Sequence, residues 1–467
     1  MDHKQSKPTA GAETRREFIR KSATAAAAVA ATGLLKTPVY GQTTAPSTGR
    51  VVGANDRVVI GYIGIGGKPS NCPGMGAGHV NMQKKATSEM NIAQAAVCDL
   101  WQVRNDLAKE TIGNSEVATY KDYRKVLDRK DIDAVLVATH DVWHARISIE
   151  AMESGKHVYC EKPMTRYLGE AFEVADAVKR TGKVFQVGSQ GTSAEGWMKA
   201  AELITQGKIG KLVWGWGAYN RSNPKGEWNY SIAEGATAET IDWNTWLGPV
   251  HHRVAFDPDH YFRWRKYYPY CAGLLGDLIP HRLHPLMLAT GKPEFPTRVV
   301  SIGTKNVHPD KNTDGALERD VPEHLELIAE FPSGLSLVVA ASTVNAKSPG
   351  FVMYGHKASL EIGTSGERVT LIPEKEFADE IDADTFDGLT PIEDFAVHEK
   401  NWFDCIRANK QPNANIDLAV RVQTVISLAE MSDRLKIACL FDEKTRKVTS
   451  DGGKELQPIT YGTLALS

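Results

Sequence analysis

At 467 residues the chain has the length for two globular domains, each with a sizeable core. Hydrophobic residues at 42% and charged residues at 24% are ordinary for a soluble protein. A formal charge of −2 offers no electrostatic attraction to nucleic acid, which is excluded as an expected partner.

The chain opens with a processing segment. Arg15 and Arg16, followed by Phe18 and the Ala-rich apolar stretch 23–35, predict a twin-arginine export signal over residues 1–41. Residues 42–56 read as a linker, and the mature protein is expected in the periplasm or secreted. No later segment approaches the ~20 apolar residues of a membrane span. The six cysteines, at 72, 98, 160, 271, 405 and 439, have no metal-like spacing. They are expected to be free buried thiols, with Cys72 exposed.

From residue 57 apolar runs alternate with helical patterns. Strand-like runs fall at 58–63, 92–97, 134–138, 157–160 and 184–187, with helices such as 143–154 and 168–181 between them. This alternation predicts a doubly wound parallel sheet of Rossmann type over 57–190, with its ligand at the carboxyl ends of the strands. Gly64-Ile65-Gly66-Gly67 follows the first strand, where glycines let the backbone turn tightly against a pyrophosphate. Asp99 ends the second strand, placed to bind ribose hydroxyls and repel a 2′-phosphate, which favours NAD over NADP. The second glycine step, Gly76-Ala77-Gly78-His79, is delayed by an insertion near 69–75 that contains Pro69 and Pro73. We expect a lid or entrance loop there.

Residues 138–165, "ATHDVWHARISIEAMESGKHVYCEKPMT", carry Trp143-His144, Gly155-Lys156-His157-Val158 and Glu161-Lys162-Pro163. Further on come "DWNTWLGP" at 242–249, Gly273-x-x-x-Asp277-x-x-x-His281, and His398 with Asn401-Trp402. In combination these motifs resemble the Gfo/Idh/MocA oxidoreductases, in their exported, twin-arginine branch, over essentially the whole chain after residue 50. His140 departs from the pattern, since family members often have Pro there. The resemblance implies bound NAD contacted by Gly64, Gly66, Gly67, Asp99, Thr139, His144, Glu161 and Lys162. It also implies a homo-oligomer, dimer or tetramer.

Lys162 follows a strand end at the sheet's carboxyl edge, where a partly desolvated amine can act as general base. Pro163 would fix the turn, through a cis bond if one is present. Asp277 and His281, four apart, would share one helix face and meet one substrate hydroxyl, although Pro280 suggests a first turn or a kink. Lys162, His281 and Asp277 are thus the catalytic candidates. His284 adds a third polar group, but no acidic or Cys cluster completes a metal set, so no metal is expected.

From about residue 211 longer β-type runs at 212–219, 298–303, 325–331, 335–341, 350–355 and 358–362 predict an α+β domain over 191–395. It would be built on a large, mostly antiparallel open sheet. The aromatic stretch 228–270 offers rings for sugar C–H faces, or fills the gap between domains. His284, Trp264 and Arg265 are the substrate-binding candidates. Residues 396–467 read as helices that pack back on the nucleotide domain, followed by a tail.

These readings converge on an NAD-dependent oxidoreductase acting on a sugar, glycoside or polyol, its cofactor tightly bound and recycled. The alternative is an NAD-dependent glycosidase working by transient oxidation and elimination. A sugar-binding protein without catalysis is a third reading, opposed by the complete Lys162, Asp277 and His281 set.

Overall fold

Two β-sheets organise the chain in the computed structural model, which describes residues 56–67, 74–391 and 395–459. The signal segment, Cys72 and most of the insertion therefore lie outside the described residues. All the described residues fall in one compact unit, 56–467.

The first sheet holds β1 (Val58–Ile63), β2 (Ile92–Cys98), β3 (Ala118–Tyr120), β4 (Ala134–Val137), β5 (His157–Glu161) and β6 (Phe185–Gly188). Every recorded pairing is parallel, and the order is β3-β2-β1-β4-β5-β6. The order reverses direction between β1 and β4, and a ligand crevice opens beyond the carboxyl ends at such a point. β4 is buried at all four positions, as a strand covered on both faces must be. β3, only Ala-Thr-Tyr, was not expected; three residues carry too little pattern to stand out.

The second sheet has eleven strands, beginning with β7 (Leu212–Asn220), β8 (Arg298–Thr304), β9 (His324–Glu330), β10 (Ser336–Ser342), β11 (Phe351–Gly355) and β12 (Ala358–Ile362). β13 (Val369–Pro373) and β14 (Asp384–Phe386) extend one edge. β15 (Cys439–Asp442), β16 (Lys447–Ser450) and β17 (Glu455–Leu456) extend the other. Pairing is antiparallel except between β7 and β10. Residues 439–456, expected as a tail, are thus sheet edge.

The C-terminal helices divide their contacts. Helix Phe395–Ala408 packs on helix Met75–Met90 of the nucleotide-binding part. Helix Ile416–Leu435 packs both on helix Leu168–Thr181 of the nucleotide-binding part and on β8, where Ser432 and Asp433 accept backbone N–H bonds from Ser301 and Gly303. Cys98, Cys160, Cys271, Cys405 and Cys439 are free and buried, as expected.

Candidate active site

The carboxyl ends of β1, β2, β4 and β5 border a cleft of about 440 Å³. Gly64, Gly66, Asp99, Thr139, His140, Glu161 and Lys162 line one side, and Trp246, Tyr261, Phe262, Trp264 and Arg265 the other. The aromatic stretch is packed core and cleft wall at once. It forms a buried cluster of its own, including Trp243, Trp246, Tyr261 and Phe262, and that cluster is also the cleft wall.

The glycine loop is built for close approach. Gly64 and Gly66 have φ of 84° and 60°, and a Cβ on Gly64 would stand 2.6 Å from the Thr139 nitrogen. Gly74 caps helix Met75–Met90, whose Ala77 N–H donates to the Ile65 carbonyl at 2.8 Å and so ties the helix start to the glycine loop. The later glycines do not touch the cleft. A Cβ on Gly76 would lie 2.0 Å from the Gly64 carbonyl oxygen, so this glycine lets helix and loop pack. Gly78 faces solvent, and Gly67 packs against Ala77.

Asp99 is a brace as well as a cleft residue. Its Oδ2 accepts the Ile65 and Gly66 N–H groups at 3.0 and 3.2 Å, and its Oδ1 accepts the Trp101 N–H at 3.0 Å. Arg104 lies 3.9 Å away and donates to the Tyr261 hydroxyl at 2.8 Å. These groups fit an NAD molecule: a Cβ-free cradle, a carboxylate at the ribose position, and buried cleft atoms without partners, Glu161 Oε2 and His140 Nε2.

Lys162 projects from the turn after β5, and the Lys162–Pro163 bond is cis. Its Nζ donates to the Asp277 carbonyl at 2.9 Å and to Asp277 Oδ1. Arg265 Nε donates to the same Oδ1 at 3.1 Å, and Trp228 Nε1 to Oδ2 at 2.8 Å. Burial favours the neutral Asp277 acid, but the Lys162 and Arg265 charges hold its pKa well below the usual carboxylate range. Trp228 adopts φ 68°, an uncommon conformation for a bulky residue, to deliver its indole there.

Asp277 and His281 do not share one helix. Asp277 ends helix Leu274–Asp277, and Pro280 opens helix Pro280–Ala289 at its first turn. His281 sits edge-on to Tyr219 at 5.2 Å. Burial and the Lys162 charge push its pKa well down, so it is a neutral imidazole. His284 does not line the cleft: it is 1% exposed, with Nδ1 3.0 Å from the Pro280 carbonyl oxygen. Asp277 and His281 are likewise absent from the cleft lining, as is His144. The His144 ring nitrogens face the Pro163 and Thr139 carbonyls at 2.7 and 3.1 Å, tying the β4 turn to the Lys162 turn. Only a doubly protonated ring can donate to both. Burial opposes that charge, but Cys160, Asp141 and the Pro163 carbonyl outweigh it and raise the pKa to about 10.

One network has no counterpart in the sequence reading. Buried His79 lies between Glu161, at 2.9 Å, and Glu399, which also accepts from Gln83. Burial works against the imidazolium, yet the two carboxylates raise its pKa to about 10. The Gly78-His79 step hinted at one member, but Glu399 lies 320 residues away.

Comparison with known proteins agrees with this geometry. Residues 72–189 match the Gfo/Idh/MocA model, an oxidoreductase family with an NAD-binding Rossmann fold. A glycosyl hydrolase family 109 protein of Shewanella baltica is 31% identical over 219 residues, 44% of this chain and 45% of that protein. One of Shewanella pealeana is 30% identical over 221 residues, with the same coverage. The chain thus spans less than half the length of these curated relatives. Among solved structures, an oxidoreductase domain protein from Kribbella flavida has a TM-score of 0.63 at 20% identity, over 83% of this chain and 100% of that one. A levoglucosan dehydrogenase in complex with NADH and levoglucosan has a TM-score of 0.62 at 18% identity, over 82% and 98%. At such identities the likeness is one of fold.

Proposed function

Because its nucleotide-binding region makes the chain a member of the Gfo/Idh/MocA oxidoreductases, we propose an NAD-dependent enzyme acting on a hydroxyl of a sugar, glycoside or polyol. The observation that carries this reading is Lys162, lining the cleft one strand from the β4 turn and two from the glycine loop, anchored by an ionised Asp277. Bound NAD supplies the hydride acceptor and donor. Lys162 in its deprotonated form, or the neutral His281 imidazole, takes the hydroxyl proton. Asp277 fixes that amine, Arg265 steadies Asp277, and neutral His281 stands close enough to feel the Lys162 charge. Trp264 and Arg265 line the substrate side, the guanidinium lying 4.2 Å from the indole centroid.

The redox-neutral glycosidase reading is favoured by the family 109 relatives. There, oxidation of a ring carbon acidifies the neighbouring C–H, elimination and water addition follow, and the hydride returns. The twin-arginine segment supports export, and scarce free NAD outside the cytoplasm supports a tightly held, recycled cofactor. The exposed face of the second sheet carries Ile302 at 65% and Ile328 at 49% exposure, supporting a homo-oligomer, dimer or tetramer.

Lys162→Ala tests the reading. Turnover should fall at least about a thousandfold, while NAD affinity changes less than about fivefold. Activity near wild type would remove Lys162 from the reaction.

A further inference from the structure

The turn after β4 carries a group that neither packing nor the proposed chemistry uses. The His140 imidazole is 6% exposed and lies flat on the Trp246 indole, centroids 4.1 Å apart and planes 6° from parallel. Trp246 stacks in turn on Trp243 at 4.6 Å, and Trp264 meets the imidazole edge-on at 6.0 Å. Stacking accounts for the ring, but a hydrocarbon ring would stack as well. It does not account for Nε2, which is buried, has no hydrogen-bond partner, and belongs to a residue lining the cleft. Leaving a polar atom unpaired in such surroundings is unfavourable unless a ligand completes it.

Strand order says which ligand atoms lie above it. The ends of β2, β1, β4 and β5 stand side by side and carry Asp99, the glycine loop, His140 and Lys162 in that sequence. Neighbouring strands are ~4.8 Å apart, so this row spans about 14 Å. A dinucleotide with its adenosine ribose at Asp99, pyrophosphate over the glycine loop and reactive ring beside Lys162 places its second ribose over β4.

Resting on the NAD reading, we propose that His140 Nε2 hydrogen-bonds a hydroxyl of the ribose joining the pyrophosphate to the nicotinamide. Trp246 holds the imidazole in plane for that bond. His140 is then a positioning residue for the reactive half of the cofactor. Burial, reinforced by the charge on His144, lowers its pKa to about 3, so the neutral ring can accept a hydroxyl proton or donate its own.

The test compares the nucleotide-stripped full chain with His140→Phe, which keeps the stack and removes the nitrogens, and with His140→Asn. Each is titrated calorimetrically with NAD⁺, ADP-ribose and ADP. The expected result is about a tenfold weaker Kd of the Phe variant for NAD⁺ and ADP-ribose, an unchanged Kd for ADP, which lacks the second ribose, and partial recovery in the Asn variant. Unchanged NAD⁺ affinity would overturn the proposal, as would an equal loss for ADP, the mark of a packing role. A wild-type chain that binds none of the three refutes the cofactor reading itself, a separable outcome.

Discussion

Lys162 owes its position to groups scattered through the sequence. Asp277 holds it from 115 residues away, and Arg265 and Trp228, themselves distant in sequence, hold Asp277. Asp277→Asn keeps the size of the side chain but leaves the Lys162 and Arg265 charges poorly compensated. Turnover should fall about a hundredfold and stability by about 3 kcal/mol, measured by steady-state kinetics and denaturant unfolding. NAD affinity should hold within about threefold. An unaltered kcat would remove Asp277 from the catalytic arrangement. Residue types near strand ends were legible: Gly64, Asp99, Glu161 and Lys162 all reach the cleft because a parallel sheet gathers its carboxyl ends at one edge. Trp228 and Glu399 were not, since no local pattern marks a partner brought in by tertiary packing. His284 is placed by its own helix. Three positions after His281 on a short helix, its side chain meets the Pro280 carbonyl rather than the cleft.

Among elements, the short apolar runs located β1, β2, β4, β5 and β12 within a residue or so of their ends. Short or edge strands escaped, because β3, β14 and β17 are three residues or fewer and lack alternation to read. The interrupted glycine motif resolves into two physical tasks. Gly64 and Gly66 bend the chain under the cofactor, while Gly76 admits the following helix to within contact of Gly64. Pro280 separates the Asp277 and His281 helices, which the i, i+4 spacing alone did not reveal.

For the whole molecule, the buried histidines set a pH window. In His79 and His144 the folded pKa is raised to about 10, so their contribution is full below ~6.5 and is lost as pH rises toward 10. In His140, lowered to about 3, and His284 and His398, lowered to about 4, the contribution is full above ~6.5 and is lost as pH falls. Thermal unfolding followed from pH 4 to 10 should show maximal Tm between about 6 and 7 with a decline on both sides. A Tm still rising at pH 9 would contradict these assignments. Both sheets were legible as classes, parallel then mostly antiparallel, because helix-separated and hairpin-linked strands leave different spacings.

The central claim, that one cleft joins NAD to a carbohydrate hydroxyl through Lys162, is tested most directly by incubating the purified chain with a panel of sugars, polyols and aryl glycosides. Absorbance at ~340 nm and aglycone release are recorded together, with added NAD⁺. The account predicts a Lys162-dependent signal with at least one substrate: net NADH formation for a dehydrogenase, or aglycone release without net NADH for the redox-neutral glycosidase. NAD-independent turnover, or no signal from a chain saturated with NAD⁺ across the panel, would contradict it.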